Sequence, residues 1–261
     1  MLHFSHANGF PAPAYRALFA GLEARFDIEY IESIGMDPLH PPLEGWALLV
    51  AQLIERLERY RKPVLAVGHS LGGYLSYLAA VRRPELVRAV ILLDAPIIGP
   101  IKGRLLGATK RFGIVDRVTP AAATRERRRS WSSLVEAERH FHTRRLFRHF
   151  TAECLRDYVR YGLVERDGAL HLKIDPEIEY RIYRTIPHGM HRYLKHLRVP
   201  AGFIGGAESD VVKRTGLATM RGRFHLVKLP GGHLFPFEHP REAAHAILAM
   251  AERLGGALSV F

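Results

Sequence analysis

The stretch VLAVGHSLGGYL, residues 64–75, constrains the chain more than any other. A β-branched apolar run ends at Gly68, Ser70 follows, and Gly72 and Gly73 open an apolar period through Leu71, Leu75, Leu78 and Ala79. This is the G-x-S-x-G pattern in its required setting, strand before and helix after. Such a turn holds the serine in a strained backbone conformation costing roughly 1 to 3 kcal/mol. Glycines two residues to either side let the neighbouring backbone pass without a Cβ clash. The helix N-terminus adds partial positive charge where an oxyanion would form. A glycine-rich turn with a chance serine is the plainer alternative, and the flanking elements argue against it.

A serine hydroxyl attacks poorly unless a base takes its proton, so this turn demands a histidine and an acid elsewhere. VKLPGGHLFPFEHP places His233 on a glycine-rich loop between an apolar run and a helix opening near Pro240, and His233 is the expected base. His239 is the rival, but beside Pro240 it fits packing or capping better. His140, His142, His149, His188, His191 and His196 stand among arginines and aromatics without carboxylate or cysteine partners. They read as surface or packing residues, and no metal site is expected.

The acid should orient the imidazole from a loop after another strand. VPAGFIGGAESDVV offers Glu208 and Asp210 after two glycines. Asp210 is preferred because it follows the short Ser209 and precedes a helical stretch, although the same place would suit a helix N-cap. Asp94, closing the run VILLDAP, is the main alternative; its plainer role is to tie down the next turn.

Short apolar runs, MLHFS, FDIEYIES, PVLAVGHS, VRAVILLD, VPAGFIGG and FHLVKLPG, alternate with helical patterns. That order predicts βαβ units around a mostly parallel sheet with both faces covered. Leu49, Val50, Leu53, Ile54 and Leu57 form one helical stripe, and Ala244, Ile247, Leu248, Ala251 and Leu254 another. The alternation breaks from about Ile97 to His188, where helical spacing dominates and LVERDGALHLKI suggests a hairpin turning on Asp167-Gly168. Long insertions between core strands often lie over a site. Residues 97–187 are therefore expected to be a mainly helical cap, and residues 1–96 and 188–261 one core domain.

The chain has 261 residues, 48% of them hydrophobic, enough for a sizeable core. Neither a signal peptide nor a membrane span is expected from its apolar runs. The single cysteine, Cys154, allows no internal disulfide and suits a reducing compartment, so the cytoplasm is the expected location. A formal net charge of +12 concentrates in the middle, in TKRFGIVDRV, ATRERRRSW and HFHTRRLFRHF. Nucleic acid is not the expected partner, since no recognition fold accompanies the charge. Arg125, Arg127, Arg128 and Arg129 form a cluster suited to a carboxylate, a phosphate or coenzyme A, with a solvated helix face as the plainer reading.

With a serine elbow, an acid loop GGAESD and a closing GGHLFPFEHP in that order, the sequence resembles the α/β-hydrolase fold family, specifically members with a helical cap. The resemblance covers nearly the whole chain and implies the order Ser70, Asp210, His233 for a catalytic triad. Family members usually begin with two further strands, whereas MLHFS here takes the place of a later one, which predicts about six strands. The resemblance implies a small-molecule acyl substrate and no cofactor. It also implies ester or thioester hydrolysis through an acyl-enzyme on Ser70, the backbone N–H groups of Leu71 and of Phe10 or Gly9 holding the oxyanion. A C–C bond hydrolase, a cofactor-free perhydrolase and a slow receptor-like binder are the alternatives on the same triad. No motif addresses oligomeric state.

Overall fold

The computed structural model describes residues 1–256. Six parallel strands form the main sheet: β1 (Leu2–Ser5), β2 (Ile28–Tyr30), β3 (Val64–His69), β4 (Val87–Leu93), then β8 (Ala201–Gly206) and β9 (His225–Leu229). Their spatial order is β2-β1-β3-β4-β8-β9, and the four inner strands are almost wholly buried while the edge strands β2 and β9 are not. Successive side chains of a strand point to opposite faces, and the core divides accordingly. Leu65, Val67, Ile91 and Leu93 join one apolar cluster, and Val64, Ala66, Val90 and Leu92 the other.

The connecting helices cover both faces. They are α1 (Arg16–Ala20), α2 (Ala47–Leu57) and α3 (Leu71–Arg82) before the insertion, and α9 (Asp210–Thr215), α10 (Phe235–Glu238) and α11 (Pro240–Gly256) after it. The two stripes predicted from period alone pack as expected. Leu49, Val50, Leu53 and Leu57 of α2 are buried with the second cluster, and Ala244, Ile247, Ala251 and Leu254 of α11 with the first. Helix α3, which carries the elbow, is buried on all sides from Leu71 to Ala80.

Between β4 and β8 the chain leaves the sheet and forms α4 (Pro100–Arg111), α5 (Ala121–Arg125), β5 (Ser130–Trp131), α6 (Leu134–His142), α7 (Ala152–Gly162), β6 (Leu163–Arg166), β7 (Ala169–Leu172) and α8 (Pro176–Arg184). The helices were expected, and so was the β6–β7 hairpin. Asp167 (φ 50°) and Gly168 (φ 73°) both adopt the left-handed conformation that a two-residue hairpin turn requires. The short strand β5 adds a third member to this small antiparallel sheet.

The insertion has no core of its own. Trp131, Phe141, Phe147, Leu155 and Tyr158 belong to the same apolar cluster as Phe4, Phe10 and Tyr15 from the N-terminal segment. Phe10 lies 5.2 Å from Tyr158 and from Phe237, ring centre to ring centre, and Phe150 stacks on Phe237 at 4.7 Å. Aromatic pairs at such spacing stabilise by about 0.5 to 1.5 kcal/mol beyond their buried area, so the insertion is anchored to the loops following β1 and β9. Cys154 sits buried in this seam, its thiol pushed up to about 11 by burial. Among the described residues, no helix is long and apolar enough to cross a membrane.

Candidate active site

Ser70 follows the last residue of β3 with φ 51° and ψ −113°, a conformation that side chains other than glycine rarely adopt. Its N–H donates to the Leu93 carbonyl at 2.9 Å, and its own carbonyl accepts from Tyr74 at 3.1 Å, which fixes the strained peptide from both ends. The glycines explain why the turn closes. A Cβ on Gly68 would strike the Gly72 carbonyl, and one on Gly72 would strike the Ser5 backbone of β1. Ser70 therefore projects from the carboxyl edge of the sheet at the N-terminus of α3.

His233 meets it as expected. Its Nε2 is 3.0 Å from Ser70 Oγ, and its Nδ1 is 2.6 Å from a carboxylate oxygen. That carboxylate belongs to Asp94. Asp94 follows β4 with φ 46° and is fully buried. Its Oδ1 accepts from the Gly206 N–H at 2.8 Å, and its Oδ2 accepts from Ser209 Oγ at 2.6 Å as well as from His233. An ionised carboxylate can satisfy about four donors, so three are readily accommodated.

The expectation of Asp210 as the acid is thereby corrected. Ser209 caps α9, its Oγ accepting from the Val212 N–H at 3.2 Å, and this starts the helix so that Asp210 points into solvent. Glu208 is exposed too, with only its backbone engaged in this loop. The GGAESD loop supplies the site with two donors, from Gly206 and Ser209, instead of an acid. His239 lies where α10 gives way to α11 and makes no bond to Ser70.

The N-terminal segment HANGF turns back tightly at Gly9 (φ 80°), closed by the Phe10 N–H donating to the Ala7 carbonyl at 3.1 Å. The Phe10 amide is therefore spent in the turn, and the expectation that it faces an oxyanion is corrected. The Ala7 N–H is also engaged, donating to the Tyr15 hydroxyl at 3.2 Å. Among the described residues no acceptor meets the amides of Leu71, Asn8 or Gly9. Asn8 lines the cavity that Ser70 also lines, and a Cβ on Gly9 would meet the Glu179 carboxylate on its wall. Asn8 Nδ2 donates to the Glu179 carbonyl at 2.9 Å, leaving Oδ1 buried and unpartnered.

Two buried histidines brace these loops. The Tyr15 hydroxyl bonds His69 Nδ1 at 2.7 Å, and His69 Nε2 bonds the His233 carbonyl at 2.8 Å. A carbonyl only accepts, so Nε2 carries the proton, and Nδ1 takes the tyrosine hydrogen. The chain Ala7 N–H, Tyr15 O–H, His69, His233 C=O thus links the first loop to the base loop beneath Ser70. His6 is held likewise, Nε2 accepting from the Ile34 N–H at 2.7 Å and Nδ1 donating to the Ala7 carbonyl at 2.8 Å. Burial keeps both rings neutral, pulling His6 down to about 4 and His69 to about 3.

Ser70 and His233 open into a cavity of about 600 Å³. Its apolar wall comes from Phe10, Phe141, Phe147 and Leu234, its polar wall from the insertion. Glu179 is buried there, its carboxyl raised by burial, and paired with Arg127 at 2.6 Å. Arg127 also donates to the Tyr158 hydroxyl at 2.9 Å. Sequence reasoning missed Glu179, whose position on α8 carries no local signal.

The expected cluster of four arginines disperses. Arg125 pairs with Glu177, Arg127 with Glu179 and Arg128 with Glu136. Arg129 is exposed, bonds only a backbone carbonyl and does not line the cavity. Arg127 and Arg128 line the cavity together with two arginines that the sequence did not single out, Arg144 and Arg145. Among the described residues no group of three His, Cys, Asp or Glu side chains is placed to hold a metal ion.

A parallel sheet ending in a serine elbow, with histidine and aspartate delivered from two later loops, defines the α/β-hydrolase class. The pattern of the alpha/beta hydrolase family matches residues 4–246, and the chain belongs to that family. No curated protein matches the sequence significantly. Among solved structures, E-2-(acetamidomethylene)succinate hydrolase is similar with a TM-score of 0.76 and 22% identity, over 97% of this chain and 91% of that one. The thioesterase domain from the curacin biosynthetic pathway is similar at 0.74 and 16% identity, over 95% and 90%. The enol-lactonase from Burkholderia xenovorans LB400 is similar at 0.64 and 16%, over 96% and 90%.

Proposed function

We propose that the chain is a serine hydrolase that cleaves a carboxylic ester or thioester through an acyl-enzyme on Ser70. The observation that carries this reading is the continuous hydrogen-bonded path from Ser70 Oγ through His233 to the buried Asp94, facing a cavity of about 600 Å³. His233 Nε2 takes the Oγ proton as the oxygen attacks the acyl carbon. Asp94 fixes the Nδ1–H tautomer and stabilises the imidazolium that forms. The oxyanion then lies between the Leu71 amide and that of Gly9 or its neighbour Asn8, and losing one such donor typically costs about 10²- to 10³-fold in rate. His233 returns the proton to the leaving alcohol or thiol, and water activated by the same base releases the acid.

Residues 97–187 act as the cap that shapes the acyl pocket, because Phe141, Phe147, Arg127 and Glu179 all reach it from that segment. The names of the similar structures, a hydrolase, a thioesterase and an enol-lactonase, support chemistry of the same kind. Burial of the lone Cys154 thiol suits a reducing compartment such as the cytoplasm. The test is covalent labelling by a fluorophosphonate together with turnover of short p-nitrophenyl esters and acyl thioesters. Rapid modification of Ser70 and turnover lost in Ser70→Ala are expected. An inert serine in the folded protein would leave a binding protein as the better reading.

A further inference from the structure

We propose that Arg144 and Arg145 form an anion-binding subsite at the mouth of the Ser70 cavity, selecting acyl substrates that carry a carboxylate or phosphate at the end remote from the scissile carbonyl. The inference rests on the reading of Ser70 as the nucleophile and adds to it the class of substrate.

Charge pairing separates these two arginines from the others around them. Arg125, Arg127 and Arg128 each have a glutamate within ion-pairing distance. Among the described residues no carboxylate lies within 4.0 Å of Arg144 or Arg145. The one side chain that Arg144 engages is His140, Nε to Nε2 at 3.3 Å, a neutral partner that leaves the guanidinium charge uncompensated. The His140 imidazole is held below its ordinary value, first by burial and then by Arg144, Arg128 and Arg127.

The cavity wall as a whole is positively biased. It includes four arginines against two glutamates, of which Glu179 is already matched by Arg127 and Glu126 is exposed. The position is also graded. Phe10, Phe147 and Leu234 are buried beside Ser70, whereas Arg144 and Arg145 are exposed where the short turn after α6 brings them to the same cavity. An elongated substrate would thus place its acyl carbon against an apolar floor and its far end among free guanidinium groups. Guanidinium forks bind carboxylate and phosphate oxygens with paired N–H donors.

The test uses three fluorophosphonates of equal length ending in a carboxylate, a phosphate or a neutral amide, with the labelling rate of Ser70 measured at low salt. The expected result is that at least one anionic probe labels about tenfold faster than the amide probe, as one charge-assisted contact implies, and the faster of the two identifies the anion. In the Arg144→Gln/Arg145→Gln variant the ratio should fall to about one, and in the wild type it should shrink with added salt. Equal rates for all three probes in the wild type, or a ratio that survives in the variant, would overturn the subsite while leaving Ser70 as nucleophile. Failure of every probe to label Ser70 would overturn the hydrolase reading, and this inference with it.

Discussion

Asp94 Oδ2 lies 2.6 Å from His233 Nδ1, reaching from the end of β4 to a loop that follows β9, two strands away across the sheet. Asp94→Asn is therefore expected to lower kcat/KM by about 10³- to 10⁴-fold, because an amide facing Nδ1 favours the wrong imidazole tautomer. Asp210→Asn, at an exposed helix position, should change it less than about threefold. Ester turnover for both variants, with thermal melting to confirm the fold, decides between them. Comparable losses at the two positions would contradict the assignment of the acid.

Ser209 serves two partners, donating to Asp94 Oδ2 and capping α9 through Val212. Ser209→Ala should cost about 1 kcal/mol of stability through the lost cap. Asp94 keeps two of its three donors, so activity should fall about tenfold, far less than on replacing Asp94 itself. Urea unfolding and steady-state kinetics on the same preparation measure the two effects separately. Unchanged kinetics would show that the hydroxyl serves the helix alone.

Three buried histidines predict an acid-sensitive fold. Burial lowers His3 to about 3, His6 to about 4 and His69 to about 3, against 6.5 in the unfolded chain. The unfolded chain thus binds protons that the folded one refuses, and stability falls as pH drops below about 6.5. Each histidine contributes up to about 1.4 kcal/mol per pH unit there, so these three together should cost about 4 kcal/mol between pH 7.5 and 5.5. His40, raised first by its bond to Asp37, has the opposite sign. Its contribution grows as pH falls toward about 6.5, so it offsets part of the loss between pH 7.5 and 6.5 and leaves the slope below that to the three buried rings. Urea unfolding at pH 7.5, 6.5 and 5.5 checks this, and a flat profile would refute it.

The buried Glu179 pairs with the half-buried Arg127 on the cavity wall. Glu179→Gln leaves the arginine uncompensated and should destabilise by about 3 to 5 kcal/mol. Glu179→Gln combined with Arg127→Met removes both charges and should recover most of that loss. Thermal melting of the single and double variants tests it; a double variant no more stable than the single one would mean that the pair's charges are not what matters.

The elbow, the base and the sheet were legible because each is encoded locally. Gly68 answers a steric demand made within five residues, and the Asp167-Gly168 turn follows from backbone chemistry that any hairpin shares. Alternation along β3 and β4 and the helical period of α2 and α11 each describe one element facing one core.

The acid was legible only as a choice among strand ends. β4 and β8 are neighbours, each ending at the carboxyl edge within reach of the His233 loop, and nothing local distinguishes Asp94 from Asp210. The decision came from Ser209, whose cap turns Asp210 outward and whose hydroxyl then bonds Asp94. In the N-terminal loop a local turn consumes the Phe10 amide, whereas those of Asn8 and Gly9 meet no acceptor among the described residues.

By itself, then, the sequence determined the sheet, the elbow at Ser70 and the reach of His233, because steric and periodic demands act between residues close along the chain. Tertiary structure alone decided which carboxylate holds the imidazole and which arginines keep a free charge. Each of these depends on partners more than a hundred residues apart, as with Asp94 and His233, or on a neutralising glutamate such as Glu179 that only folding brings beside Arg127.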